Sequence, residues 1–447
     1  MIKDPNGSLL RLIVSAVDAL REPAGKNYRS MKDIRRDRGQ FVKDFHTGLF
    51  LLHVLTIRAI IDAEDKMQSP KGATPRGAMA SQKGWTRVRQ LLRCINDAIV
   101  WIALQPEPSL FIRRTCRKQP RGKLRDQNHE SVMKAMQHFF AGGEVLPIWN
   151  DATRCLDISD ITLFSPRGIS FVELKTGKVN EQIFDMMGKT SRDRILTELD
   201  TFFEKYGKKG MQQIDRIIRQ EDRSSKLVEL SKHDDVIDPF LDAKRIAITP
   251  HQPLKGYDAE LSPLFEELRS RDFVAHSIDN CLHVLALNRQ RGIGIEKGRE
   301  IIRQHLQDKM CRPNNEGVDC REVIISLQSS FDYPTAMPIM LRPWSSEDIA
   351  RISLGHTEVY FGFDVNAWAK HLRSSRLAWS SKREGKKELS KPPDERFLLV
   401  QDRIPQIVGP KGGRISLGTQ FLQIMLCEGI RPASFAAYYD QIADIET

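Results

Sequence analysis

Between Cys155 and Lys175 the chain carries two extended runs, Cys155 to Phe164 and Ile169 to Lys175, separated by Ser165-Pro166-Arg167-Gly168. Proline and glycine inside a four-residue break set up a reversal of the chain, so the two runs are expected to pair as a hairpin. Side chains alternate along a strand, which puts Ile169, Phe171, Glu173 and Lys175 on one face and Ser170, Val172 and Leu174 on the other. A largely apolar strand therefore ends in a carboxylate and an ammonium side by side. Asp160 lies in the preceding run, and the short turn is expected to bring it near Glu173.

The surroundings alternate between helical and extended patterns. A helix from about Asn128 to Phe140 carries Val132, Met136 and Phe139 as its apolar stripe and is stopped by Gly142 and Gly143. A short extended run, Val145 to Trp149, precedes the hairpin. Helical patterns from about Glu181 to Tyr206 and from Met211 to Leu230 follow it, then a strand from Arg245 to Thr249. Upstream, Leu9, Ile13, Val17 and Leu20 share one helical face, and Phe41, Phe45, Leu49, Leu52 and Ile60 share another. A loop rich in Pro, Gly, Ser and Lys runs from Ser69 to Gly84, and a helix from Trp85 to about Ala103 ends at Pro106 and Pro108. Downstream come a helix from Ala259 to Arg269, strands near Phe273 to Ile278 and Leu282 to Leu287, and a helical stretch from Glu296 to Met310. Further strands are expected near Val323 to Leu327 and Val359 to Phe363, with a closing helix around Thr419 to Cys427. The Lys-rich stretch from Ser380 to Pro393 reads as an exposed loop or linker. Three parts follow: a helical domain over 1–110, an α/β core over 111–290 and an α+β region over 291–447 with its linker at 380–396.

Charge is unevenly placed along the 447 residues, whose formal net charge is +11. Residues 1–150 hold 26 Lys and Arg against 14 Asp and Glu, while residues 151–447 hold 43 against 44. A localised positive field attracts polyanions. The densest basic stretch is Arg113, Arg114, Arg117, Lys118, Arg121, Lys123 and Arg125, broken by Pro120 and Gly122. It cannot form a long regular helix but can follow a phosphate backbone, positioning nucleic acid without reading its sequence. The seven cysteines are odd in number and form no C-x-x-C pair, so a disulfide framework and a cysteine zinc site are disfavoured and a reducing cytoplasm is expected. The apolar run from Leu9 to Leu20 is interrupted by Arg11 and Asp18 and lacks a small-residue cleavage site, and Phe50 to Ile61 is too short to span a bilayer. No membrane partner is expected.

Two carboxylates at one strand end offer hard oxygen ligands suited to Mg²⁺, which also takes water and phosphate oxygens. A metal so held lowers the pKa of a bound water and stabilises charge building on phosphorus. Asp160 followed thirteen residues later by Glu173-Leu174-Lys175 resembles the motif of the PD-(D/E)XK, or restriction-endonuclease-like, nuclease superfamily. The order of helix, three strands, helix and strand over about residues 125–250 resembles its core, a mixed central sheet flanked by helices. The resemblance implies metal binding by Asp160 and Glu173, with Lys175 assisting the nucleophilic water. It implies a further carboxylate on the helix before the strands, matched by Glu130, and for some members a glutamine on the following helix, matched by Gln182. Ser159 stands where the motif has proline, and Asp157 is the rival metal ligand.

Two other Glu-x-Lys triplets, Glu64-Asp65-Lys66 and Glu384-Gly385-Lys386, do not close an apolar strand. Gly292-Ile293-Gly294 lacks the third glycine of a dinucleotide loop, the Gly72 to Gly77 spacing lacks the Lys and Ser or Thr of a phosphate loop, and His129-Glu130 has no second histidine four positions on. The expectation is a cytoplasmic nuclease dependent on Mg²⁺ or Mn²⁺, with DNA preferred over RNA, serving anti-phage defence, restriction or repair. It would act as a homodimer or with partner defence proteins. A nucleic-acid-binding protein that no longer cuts, or an RNA-cleaving nuclease, is the alternative.

Overall fold

In the computed structural model the chain divides into two compact units, Glu22–Ala247 and a second joining Met1–Arg21 to Ile248–Thr447. The structure describes residues 5–25, 31–67, 75–105, 111–112, 116, 122–124, 129–157, 159–174, 254–293, 297–298, 300–301, 304–305, 324–373, 377–388, 390, 397–400, 402–418, 422 and 425–445, with isolated positions between 202 and 244. Both units mix helices with small antiparallel sheets. The first helix, α1 (Pro5–Arg21), belongs to the second unit.

The first unit opens with α2 (Met31–Arg36), α3 (Arg38–Met67) and α4 (Pro75–Ala103). α4 begins at Pro75, shortening the loop expected over Ser69 to Gly84, because proline is tolerated in the first helical turn where its missing N–H has no helical partner. α3 is the one helix among the described residues long and apolar enough to cross a membrane by length and composition. Here its apolar side packs on α4, burying Leu49, Leu52, Ile57 and Ile60 together with the polar His53, Thr56 and Glu64. Arg89 and Arg93 of α4 lie 3.6 and 3.9 Å from the Glu64 carboxylate, which offsets the cost of burying it.

α5 (His129–Phe140) buries Val132 and Met136, and its Phe140 ring stacks on Phe50 with centroids 4.1 Å apart. The chain reverses at Gly143, whose φ of +67° disfavours a side chain, and enters β1 (Leu146–Trp149). β1, β2 (Ile161–Ser165) and β3 (Gly168–Val172) form an antiparallel sheet in that order, with Trp149 opposite Ile161 and Ile161 opposite Val172. The hairpin turn falls where the sequence places it, and Gly168 takes a φ of +125° there. The strand expected from Cys155 starts only at Ile161. In the loop before it, the N–H groups of Arg154, Cys155 and Leu156 donate to side chains rather than to a neighbouring strand. A separate pair, β4 (Ile237–Asp238) and β5 (Ala243–Lys244), completes the described part of this unit.

The second unit is built on the antiparallel sheet β6 (Phe273–Ile278), β7 (Leu282–Asn288), β9 (Thr357–Phe363) and β8 (Ile324–Ser326), in that spatial order. Asp279 and Asn280, both left-handed at φ 51° and 56°, make the tight β6–β7 turn. α6 (Asp258–Leu268) covers the sheet. α1 docks through Arg21, whose guanidinium donates to the carbonyls of Arg342 and Trp344 beside α7 (Ser346–Ser353). The remaining elements are α8 (Val365–Ala369), β10 (Leu377–Trp379), α9 (Lys382–Glu388), β11 (Pro405–Val408), β12 (Arg414–Ser416) and α10 (Pro432–Ile445). Two differ from expectation. The linker over 380–396 contains α9, a helix docked on the chain, and α10 follows the expected closing helix.

Arg342 holds this unit together from inside. Its side chain is 1% exposed, lies 2.6 Å from the Asp258 carboxylate, and donates to the carbonyls of Leu426 and Cys427 at 3.2 and 2.8 Å. The guanidinium also sits over the Trp344 ring at 4.6 Å. Burial pushes the Asp258 carboxyl up, and the charge of Arg342 opposes that shift. Arg342→Met would leave Asp258 buried without its cation, so it is expected to destabilise this unit by about 3–5 kcal/mol, with Asp258→Asn added to it restoring part of the loss. Urea unfolding of the three proteins measures both numbers, and equal stability of Arg342→Met and wild type would refute the role.

Candidate active site

The end of the sheet where β1 finishes, β2 starts and β3 finishes is tied to the two long helices by buried polar side chains. Asn96 and Asp97 lie in the middle of α4, and both are fully buried. Asn96 Nδ2 donates to the Ala152 carbonyl at 2.9 Å. Its Oδ1 accepts from the Thr56 hydroxyl and faces His53 Nδ1 at 2.9 Å. The Trp149 N–H donates to His53 Nε2 at 3.0 Å, so the His53 proton resides on Nδ1 and is donated to Asn96. Asp97 accepts from the backbone N–H groups of Arg154 and Cys155 at 2.6 and 3.2 Å, and from Arg154 Nε at 2.5 Å. Burial pushes the Cys155 thiol well up, so it stays a neutral part of this core.

Asn150 continues the brace outward. Its Nδ2 donates to the Ser159 carbonyl at 2.8 Å, its Oδ1 accepts from the Thr162 hydroxyl at 2.8 Å, and its N–H donates to the Asp160 carbonyl at 3.0 Å. The loop between β1 and β2 is therefore pinned at both ends and at its middle. Such side-chain bonds replace the strand pairing that residues 155–160 were expected to make.

Asp160 leaves this loop directly ahead of β2. The register that pairs Ile161 with Val172 continues outward to set Asp160 opposite Glu173. Asp160 Oδ2 accepts from the Leu174 N–H at 2.6 Å, a charge-assisted bond that joins the two strand ends. Both residues are partly buried. Asp157 is also partly buried but lies three residues earlier in the loop. Glu130 is exposed in the first turn of α5. α5 packs on β1. Lys175, Gln182, Arg113, Arg114, Arg117, Lys118, Arg121 and Arg125 lie outside the described residues. Of the basic stretch, Lys123 is described and partly buried, and Arg93 of α4 donates to the neighbouring Gly122 carbonyl at 2.8 Å.

The donor chemistry of Asp160 and Glu173 fits a small hard cation. Among the described residues no three His, Cys, Asp or Glu side chains converge to hold a metal. A Mg²⁺ held between these two carboxylates would complete its shell with water and phosphate oxygens, its usual habit. The residues that sequence reasoning passed over are those of the brace: His53, Asn96, Asp97, Asn150 and Arg154. Their signal was present as polar groups inside apolar helical runs, which persist only when hydrogen-bonded. No family model matches the chain, and neither the curated proteins nor the solved structures yield a significant match.

His53 makes the brace sensitive to pH. Burial lowers its pKa from the ordinary 6.5 to about 4, partly opposed by the hydrogen bond to Asn96. As pH falls, the unfolded chain takes up this proton before the folded one. The stabilisation is therefore complete above 6.5 and is lost as pH falls toward 4. Between about pH 7.5 and about pH 5 this linkage is expected to cost roughly 2 kcal/mol. Urea unfolding at the two pH values checks it: His53→Gln should lose that part of the pH slope, and an unchanged slope would contradict the assignment.

Proposed function

We propose that the first unit is a restriction-endonuclease-like nuclease that hydrolyses phosphodiester bonds of nucleic acid, DNA ahead of RNA, with Mg²⁺ or Mn²⁺. The reading is carried by one observation: the Asp160 carboxylate bonded to the Leu174 N–H, in a register that sets it opposite Glu173. When bound there, a divalent cation would supply Lewis-acid stabilisation of phosphoryl charge and a more acidic water. The chain's own contribution is to hold the two carboxylates at fixed spacing on the end of a braced sheet. Glu173-Leu174-Lys175 places Lys175 two positions beyond the glutamate, in the role of orienting the attacking water and offsetting phosphate charge. Glu130 is the supporting carboxylate and Asp157 the alternative to Asp160. The basic stretch over 113–125 is assigned to the phosphate backbone. Paired cuts on a duplex call for two such sites, hence a homodimer or a partner protein, and a cytoplasmic role in anti-phage defence, restriction or repair suits such an activity.

Plasmid, linear and single-stranded DNA and RNA incubated with Mg²⁺ or Mn²⁺ test the reading. Cleavage should require the metal and stop in EDTA. Lys175→Ala, Glu173→Gln and Asp160→Asn should each lower the rate at least ~100-fold. Asp160→Asn retains an oxygen for the Leu174 N–H, so its thermal midpoint should stay near that of wild type. Wild-type rates in all three variants would end the assignment. Binding that falls steeply with salt and survives EDTA, without any cleavage, would instead establish the non-cutting alternative.

A further inference from the structure

The Lys-rich segment that reads as a linker is a folded piece of the second unit with a concentrated positive surface. Residues 377–418 hold nine Lys and Arg against five Asp and Glu, although residues 151–447 as a whole hold 43 against 44. α9 buries Gly385 and Glu388 and turns Lys382, Arg383, Lys386 and Lys387 outward. Gly385 explains how tightly it docks, because a Cβ there would come within 1.9 Å of the Asp402 carbonyl oxygen. That contact seats the helix on the turn in which Val400 and Arg403 exchange backbone hydrogen bonds, with exposed Arg403 at its side. The β11–β12 hairpin adds exposed Lys411 at its glycine-rich tip and exposed Arg414 at the start of β12. β10 pairs with β11, and the Ser380 N–H donates to the Ile404 carbonyl at 3.0 Å, so helix, turn and hairpin are one body.

The one exposed carboxylate of α9, Glu384, is engaged at the start of the helix, where the Ser381 N–H and hydroxyl donate to it at 2.8 and 2.9 Å. These bonds hold its carboxyl below the usual carboxylate range.

We propose that this surface, formed by Lys382, Arg383, Lys386, Lys387, Arg403 and Arg414, binds the phosphate backbone of nucleic acid. Phosphates spaced along a strand need several cations held at fixed spacing, and α9 docked on the turn and hairpin supplies them. An anionic membrane is the less suitable partner. A helix lying on a bilayer inserts an apolar face, whereas the outward arc of α9 is wholly charged. The one large apolar side chain exposed in this segment among the described residues is Phe397, 36% exposed, whose N–H donates to Glu388 at the end of the helix. A single partly exposed ring there is too little apolar surface for insertion into lipid.

The test uses the full chain and fluorescence anisotropy of a short labelled DNA duplex in EDTA, so that it does not depend on cleavage. One variant combines Lys386→Gln, Lys387→Gln, Arg403→Gln and Arg414→Gln. A control removes four exposed charges elsewhere on the same unit: Arg11→Gln, Arg271→Gln, Lys370→Gln and Arg373→Gln. Between about 50 and 200 mM salt, the first variant should shallow the log–log slope of affinity against salt by about 3 and weaken binding at least ~10-fold at the lower end. The control should retain the wild-type slope, and both should retain the wild-type thermal midpoint. Equal losses in variant and control, unchanged binding in the variant, or no duplex binding by wild type would each overturn the proposal. So would loss of sedimentation with phosphatidylserine-rich vesicles in the variant while its duplex binding stays intact. Failure of the nuclease reading shows separately, as absent cleavage with this binding preserved.

Discussion

Asn96 of α4 accepts the proton of His53 and donates to the Ala152 carbonyl, while His53 itself accepts from the Trp149 N–H. Through these bonds the two longest helices of the first unit grip the backbone where β1 leaves the sheet. Without them the Trp149 N–H and the Ala152 carbonyl would be buried with no helical or strand partner in reach, each at a cost of a few kcal/mol. Asp97 extends the grip by one residue along the helix, and its carboxylate takes two backbone N–H groups and a guanidinium. A buried carboxylate is tolerable only when so fully occupied. The order of support for the site therefore runs from helix packing through the loop to the carboxylate at the loop's end.

That order has a consequence for Asp160. A residue on an unbraced eight- or ten-residue loop samples many positions, and a ligand or catalytic group must be held to within about half an ångström to be useful. Asn150, itself held by Thr162, donates to the backbone carbonyls of Ser159 and Asp160, and the Leu174 N–H donates to the Asp160 Oδ2. The backbone that carries the carboxylate is thus pinned by one segment and the carboxylate itself by another. Of the helices read as an N-terminal domain, α1 belongs to the second unit, while α3 and α4 share one unit with the hairpin and supply the inner half of this support.

The hairpin was legible because its signals are local. A Pro-Gly break between alternating runs sets both the turn and the register, and the register then places Asp160 opposite Glu173 with no tertiary information. The helices with continuous apolar stripes were legible for the same reason, as were β6, β7 and β9. The loop from Cys155 to Asp160 was not. Its composition is that of a strand, and what makes it something else is side chains outside any strand ladder: Asp97, over fifty residues away, at Cys155, Thr153 at Leu156 and Asn150 at Ser159. α9 misled in the other direction. Its seven residues are six charges and a glycine, which have no helical stripe to read. It is helical because Gly385 lets it lie against the backbone of a turn seventeen residues downstream. α10 buries Phe435, Ala436 and Ala443 on one face at helical spacing, a stripe the sequence reading passed over.

The same distinction applies to charge. Divided at residue 150, the chain is basic in front and near neutral behind, and on that average the back part offers nothing to a polyanion. Electrostatic attraction in salt is felt over about one Debye length, roughly 10 Å at 0.1 M, and not over a domain. What matters is whether cations are gathered within that distance and whether their neighbours of opposite sign are buried or spent. In the C-terminal segment Glu388 is buried against Phe397 and Glu384 is engaged by Ser381, which leaves the lysines and arginines of α9 to dominate the outward field. Local composition supplies the excess of cations, and folding gathers them on one surface within a part whose average is near zero.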